Sequence, residues 1–421
     1  MADREPAKSS IGRRIATAAL TIPVLLLALL IAALLIPLPY LDIMASIMTG
    51  LFAYLLPAAF LTLIFSYWLW RGRRTRYAAA LIIISSATVA GWIGVSGRML
   101  AFAANENARV DAGQLFTGFS VDNRGPDITL PYTSHDGKTV SLSIWKPKPT
   151  TASAPVLVMT HGGGFAGGSV TEQLLPYARW LANQGYLVIG ANYTLSSKSV
   201  HAWNIAEGQI ACALAWAGKN AGKYGGDVSR LGMYGESAGG NLVINTSYKI
   251  AKGTIVSPCP GPYPEVRAVS TIYPALGILE AYDNDHLLGE TGRLFDEQYL
   301  GGTPAQFPER YASVQSVNSV TGKAPPTLII FGASDHLVPP GGTRRFVDAA
   351  RKAGIPLRSI EVPFGEHGFD LVSGGVGAQV WRQATLAWFA KHIGDGRTSG
   401  RADSEGFKVP VGAAPEIEGK K

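Results

Sequence analysis

Ser237 stands in the run Gly235-Glu236-Ser237-Ala238-Gly239, a G-x-S-x-G spacing that puts a serine hydroxyl on a sharp strand-to-helix turn. Such a turn is strained, and the helix behind it packs close to the strand, so the flanking glycines leave room that a side chain would fill. A serine exposed in this way is a candidate nucleophile for acyl transfer. A second run, His161-Gly162-Gly163-Gly164-Phe165, follows the apolar stretch Pro155-Val156-Leu157-Val158-Met159. That is where a loop supplying backbone N–H groups to an oxyanion hole belongs. The expected donors are the N–H groups of Gly163, Gly164 and Ala238.

Serine needs a base, and the base needs an orienting acid, in the chain order Ser, Asp or Glu, His. Residues 327–332 read as a buried strand delivering Asp335, and residues 360–362 as a shorter strand followed by a loop with His367. Of the seven histidines, His161 belongs to the oxyanion loop, and His135, His201, His286 and His392 lie in no suitable strand-end context. His336 is the rival base, disfavoured because adjacent side chains point apart. Glu366 and Asp370 are substitute acids, expected to be solvated loop charges. The expected catalytic set is therefore Ser237, Asp335 and His367, supported by His161, Gly162, Gly235, Glu236 and Gly239.

Four features in this order resemble the α/β-hydrolase superfamily: His161 to Gly164, the run G-E-S-A-G-G from Gly235, Ser334-Asp335 after a strand, and Glu366-His367-Gly368-Phe369. Within it the chain is most similar to the hormone-sensitive-lipase-like and acetyl-esterase-like carboxylesterases. The resemblance covers about residues 125–395. It implies a mostly parallel eight-stranded sheet flanked by helices, a carboxylic-ester substrate and no cofactor. One departure is Asp335-His336-Leu337-Val338-Pro339-Pro340, where many members carry a short acidic stretch. This form also occurs in small esterases acting on acetylated or aromatic sugar esters.

The elements that must position these residues follow from patterning. Asp136-Gly137 between two alternating runs, 127–134 and 138–145, signals a hairpin. After it, residues 172–184 read as a helix, 187–193 as a strand, 206–224 as a helix, 230–234 as the strand before Ser237, and 267–273 as the next strand. Right-handed βαβ crossovers then put nucleophile, acid and base at the C-terminal ends of their strands. Residues 277–323 are too long for an ordinary connection and read as a helical cap bearing Leu287, Leu288, Leu294, Phe295, Tyr299 and Leu300, which are core or acyl-pocket wall, with core expected for most. The tail from 394, rich in Gly, Ser and charge, reads as disordered.

Hydrophobic residues make up 47% of the chain and charged residues 16%, a balance that leans toward membrane proteins. The excess lies before residue 100. Residues 15–36, 43–70 and 77–95 hold no Asp, Glu, Lys or Arg, and each reaches the ~20 residues needed to span a bilayer core. The first is too long for a signal peptide and lacks a small-residue cleavage site before Pro37. Arg4, Lys8, Arg13 and Arg14 precede the first span, and Arg71, Arg73, Arg74 and Arg76 fill the second connection, whereas residues 37–42 hold no Lys or Arg. This asymmetry puts the N-terminus inside and everything after the third span outside the cytoplasm. The domain plan is thus a membrane region 1–100, a linker 101–126, a catalytic domain 127–393 and the tail. Most of the formal +7 charge belongs to the membrane flanks, which argues against nucleic-acid binding. Without ionisable groups inside the spans, transport has little support.

The two cysteines, Cys212 and Cys259, have two readings, a disulfide permitted outside the cytoplasm or a pair of buried thiols. They are too few ligands for zinc, so no metal is expected. The expected function is a membrane-anchored serine hydrolase acting on short to medium carboxylic esters, acetyl esters of envelope sugars or lipids among them. An acyltransferase would use the same residues with a sugar or lipid hydroxyl in place of water, and a non-catalytic binding domain is the third reading.

Overall fold

A computed structural model describes residues 7–36, 41–72, 74–120, 122–148, 153–259 and 261–396. The chain forms two compact units. One comprises residues 1–105, 109–119 and 363–380; the other comprises 106–108, 120–362 and 381–421.

The first unit contains three helices long and apolar enough to cross a membrane, with spans Thr17–Leu35, Ser46–Gly72 and Arg76–Asn105. The third continues well past the stretch expected to end at residue 95, and a short helix, Gln114–Thr117, follows it, so the segment expected as a linker is partly helical. Small residues let these helices approach one another. A Cβ on Gly91 would lie 2.6 Å from Ile31 Cγ1, and the Ser66 and Ser85 hydroxyls are 3.1 Å apart. Leu25, Ile64, Phe65, Trp68 and Ile83 remain exposed, an outward apolar surface that lipid would cover. The basic residues of the N-terminal cluster lie outside the residues whose side chains are described.

The second unit is built on an eight-stranded sheet. Its strands are β1 (Ile128–His135), β2 (Lys138–Trp145), β3 (Ala154–Thr160), β4 (Leu187–Ala191), β5 (Gly226–Glu236), β6 (Val266–Ile272), β7 (Thr327–Gly332) and β8 (Leu357–Val362). Their spatial order is β1-β2-β4-β3-β5-β6-β7-β8. β1 and β2 pair antiparallel through the expected turn, with Asp136 at φ 47° and Gly137 at φ 73°. β2 pairs antiparallel with β4, and all later neighbours are parallel. This is the mostly parallel sheet that the sequence implied. Strands β3, β4 and β7 are buried along their whole length and read as continuous apolar runs, as strands covered on both faces do.

The connections refine the expected helices. Residues 172–184 form two helices, Val170–Gln173 and Leu175–Asn183, because Pro176 suits a first turn and not a helix interior. The helix expected over 206–224 is α-helical over Ala206–Asn220 and closes in a 3-10 turn, Ala221–Tyr224, before the left-handed Gly225. The cap segment folds as Ile278–Tyr282, Leu287–Leu300, Pro308–Val314 and a 3-10 turn at Ser316–Ser319. Its Tyr299 and Leu300 are fully buried, whereas Leu287 and Leu294 are exposed. Cys212 and Cys259 are joined in a disulfide with Cα atoms 5.1 Å apart, which decides between the two readings of the cysteines. From residue 397 the tail lies outside the described residues.

Candidate active site

Ser237 is the first residue of the helix Ser237–Lys252, immediately after β5, and its φ is +50°. That left-handed conformation costs a non-glycine residue on the order of 1 kcal/mol or more and is held only when the surroundings fix it. Here they do. A Cβ on Gly235 would lie 2.3 Å from Gly239 O, and one on Gly239 would lie 2.4 Å from both Thr160 O and His161 O. The helix start is therefore clamped against the end of β3, and Ala275 N donates to Ser237 O at 3.1 Å. Further along, Asn241 Nδ2 donates to Ala275 O (2.8 Å) and Val314 O (3.0 Å), and Asn245 Nδ2 also reaches Val314 O (2.9 Å). These amides tie the helix that Ser237 opens to the cap.

The glycine loop after β3 lies beside this turn. A Cβ on Gly162 would be 3.1 Å from Ser237 Cβ. Gly163 and Gly164 have φ of +91° and +59°, and Gly163 O accepts from Ala166 N and Gly167 N, closing the loop on itself. The loop's first residue, His161, is buried and stacks on Tyr193 at 4.5 Å. Its Nδ1–H donates to Gly162 O at 2.9 Å, and Tyr193 Oη donates to the same oxygen at 2.9 Å. Burial pushes the imidazole down to about 4, against smaller opposing effects from the Gly162 and Gln173 hydrogen bonds. His161 is thus a neutral brace of the loop. Burial likewise raises the Tyr193 phenol, with the Glu236 carboxylate adding to it, so it stays a donor.

Asp335 lies in the loop after β7 and is 4% exposed. Its Oδ1 accepts from Leu337 N (3.0 Å) and Val338 N (2.7 Å), so one carboxylate oxygen is fixed by its own loop. β6 alone separates β5 from β7, so Ser237 and Asp335 follow strands one apart in the sheet. His367 follows β8, the neighbour of β7, and belongs to the loop 363–380 of the first unit. Its backbone N–H donates to Glu366 Oε1 at 2.9 Å. Glu366 and Asp370, expected as solvated, are buried at 1% and 4% exposure, because the loop folds on itself. His336 ring-packs on His286 at 4.2 Å, and Asn284 Nδ2 donates to its backbone oxygen.

Three residues act on the glycine loop; the sequence left Tyr193 as a strand residue, and Phe295 and Tyr299 as core or acyl-pocket wall. Tyr193 bonds Gly162 O as above. Phe295 packs on Gly164, where an added Cβ would meet its ring at 2.5 Å. Tyr299 stacks on Phe165 at 3.8 Å. Phe295 and Tyr299 are four residues apart on one cap helix, a spacing that marks a shared helix face.

The doubly wound sheet, the left-handed serine at its strand-to-helix turn and the glycine loop beside it define the class: the chain has the α/β-hydrolase fold. Residues 142–349 match the BD-FAE family model. The chain is 30% identical over 240 residues to "Esterase LipC" of Mycobacterium tuberculosis (strain ATCC 25618 / H37Rv), an alignment covering 55% of this chain and 58% of that protein. It is 28% identical over 243 residues to "Probable carboxylic ester hydrolase LipM" of the same organism, covering 56% and 54%. The chain thus spans little more than half the length of these relatives. A solved structure, "Thermogutta terrifontis esterase 2 phosphonylated by sarin", superposes with a TM-score of 0.53 at 21% identity, covering 64% of this chain and 96% of that one. This likeness concerns the fold.

Proposed function

We propose that the chain is a membrane-anchored serine hydrolase that cleaves carboxylic esters of short to medium acyl length. The observation carrying the proposal is Ser237 at φ +50° with Gly162 of the loop packed beside it. Ser237 attacks the ester carbonyl while His367 accepts its proton, and Asp335 orients and stabilises the imidazolium. The N–H groups of Gly163, Gly164 and Ala238 receive the tetrahedral oxyanion, each such donor contributing about 3 kcal/mol to the transition state in comparable sites. The intermediate collapses as His367 gives its proton to the departing alcohol, and water then cleaves the acyl-enzyme with His367 as its base. The relatives' names as esterases support this reading, and phosphonylation of the Thermogutta enzyme suggests the matching reaction at Ser237.

The test uses the full chain in detergent micelles, a series of esters of increasing acyl length, and a phosphonate label. Ser237→Ala should lose both hydrolysis and labelling, because only water and the oxyanion donors remain. Labelling that persisted would reject the nucleophile. Faster cleavage of chains of twelve or more carbons than of acetate or butyrate would reject the preference for small acyl groups. A rise in turnover with acyl transfer to an added sugar or lipid alcohol would recast the enzyme as an acyltransferase.

A further inference from the structure

The loop that carries His367 is built into the same compact unit as the membrane helices, and its contacts there are specific. Gln379 is 3% exposed and pairs with both backbone polar groups of Asp111: its Oε1 accepts from Asp111 N at 2.7 Å and its Nε2 donates to Asp111 O at 3.1 Å. The same Nε2 donates to Gly374 O at 2.8 Å, so one amide joins the loop to the segment that follows the third membrane helix. That segment is itself ordered. Asp111 Oδ1 accepts from Gly113 N and Gln114 N, opening the short helix Gln114–Thr117, and Phe116 packs edge-on against Tyr54 of the second membrane helix at 5.3 Å. Phe119 N donates to Ser373 Oγ at 3.0 Å.

Backbone contacts reinforce these bonds. A Cβ on Gly374 would lie 1.8 Å from Gln114 O, and one on Gly50, in the turn that starts the second membrane helix, would lie 2.6 Å from Val372 Cβ. Within the loop, tight turns relay the constraint toward His367: Gly375 N to Val372 O at 2.8 Å, Leu371 N to Gly368 O at 2.9 Å and Phe369 N to Glu366 O at 3.1 Å. Hydrogen bonds, van der Waals contacts and tight turns thus run from Gly50 and Asp111 to residue 366.

We propose that the membrane unit positions the catalytic base, with Gln379 and Ser373 as its positioning residues, so that the anchor is part of the catalytic apparatus as well as a tether. The proposal rests on His367 being the base. A base misplaced by about 1 Å can lose on the order of a hundredfold in rate without altering substrate binding. A tether alone predicts no such effect, because a buried amide in an anchor would change stability and nothing else.

The experiment compares the full chain in lipid nanodiscs with Ser373→Ala, Gln379→Leu and their combination, on a water-soluble short-chain ester. The expected result is a fall in kcat of about tenfold to a hundredfold with KM within about twofold, together with a shifted midpoint in the pH profile of kcat/KM. Ser66→Ala, which removes a hydroxyl contact between membrane helices, should change neither the rate nor the profile. Unchanged kcat and pH profile in the double variant, with His367→Gln inactive, would overturn the proposal. Full activity of His367→Gln would instead remove the base assignment and the proposal with it. Where Gln379→Leu does not fold, Ser373→Ala alone gives the same readout.

Discussion

At the residue scale the acid and the buried histidine carry the sharpest expectations. Asp335 Oδ1 is committed to two backbone N–H groups, which an asparagine oxygen can also accept, so Asp335→Asn should keep the loop and lose the carboxylate's hold on the base. A fall in kcat of about 10⁴-fold with an unchanged melting curve is expected, because the imidazole takes the wrong tautomer. Full activity of this variant beside an inactive Glu366→Gln would transfer the role to the buried neighbour of His367. His161 gives a pH dependence of stability. Its folded value, pushed down to about 4, lies below the ordinary 6.5, so between these values the unfolded chain binds the extra proton. Stability should therefore rise with pH from about 4 to 6.5 and then level, with a total change on the order of 3 kcal/mol. Urea unfolding across that range should show the slope in the native protein and lose this part of it in His161→Gln; an equal slope in both would mean that other groups carry it. The strained turn at Ser237 and its flanking glycines was legible in the sequence because its cause is local and steric. The burial of Glu366 and Asp370 was not, since it depends on how a loop folds over itself and no local pattern records that.

At the element scale the site depends on how closely the nucleophile helix approaches β3. Gly239→Ala would drive a methyl group into two backbone carbonyls, Thr160 O and His161 O, neither of which can rotate away as a side chain would. The helix start or the glycine loop must then shift, and kcat should fall by about a hundredfold or more even where the protein still folds. The measurement is single-turnover acylation with a chromogenic ester, and acylation at the native rate would show that the clamp is not needed. The strands were readable as apolar runs, and the hairpin as Asp136-Gly137, because both signals sit within a few neighbouring residues. Phe295 and Tyr299 were recognisable only as cap residues; their seats on Gly164 and Phe165 come from an element more than a hundred residues away. The break of the expected helix at Pro176 shows the opposite failing, a local signal present in the sequence and outweighed by the apolar periodicity around it.

At the scale of the whole molecule the expectation concerns which side of the membrane holds the sheet. Three helices are long and apolar enough to span, and an odd number of crossings separates the N-terminus from everything after Asn105. Nine Lys and Arg against three Asp and Glu precede residue 104, and apart from Arg98 those basic residues flank the first span or fill the connection after the second. The insertion machinery reads such clusters as cytoplasmic, so the prediction is an N-terminus inside and the sheet outside. The joined Cys212 and Cys259 agree with an oxidising compartment, where disulfides persist. A reporter active only outside the cytoplasm should therefore work when fused after residue 103 and fail when fused at Arg74. Replacing Arg71, Arg73, Arg74 and Arg76 with neutral residues should reduce the outside signal of the first fusion, because it removes one of the two clusters that fix orientation. The reverse pattern of the two fusions would mean that one helix does not cross. The suspect would then be Arg76–Asn105, which carries Arg98 besides Ser85, Ser86, Thr88 and Ser96, and its failure to cross would return Ser237 to the cytoplasm.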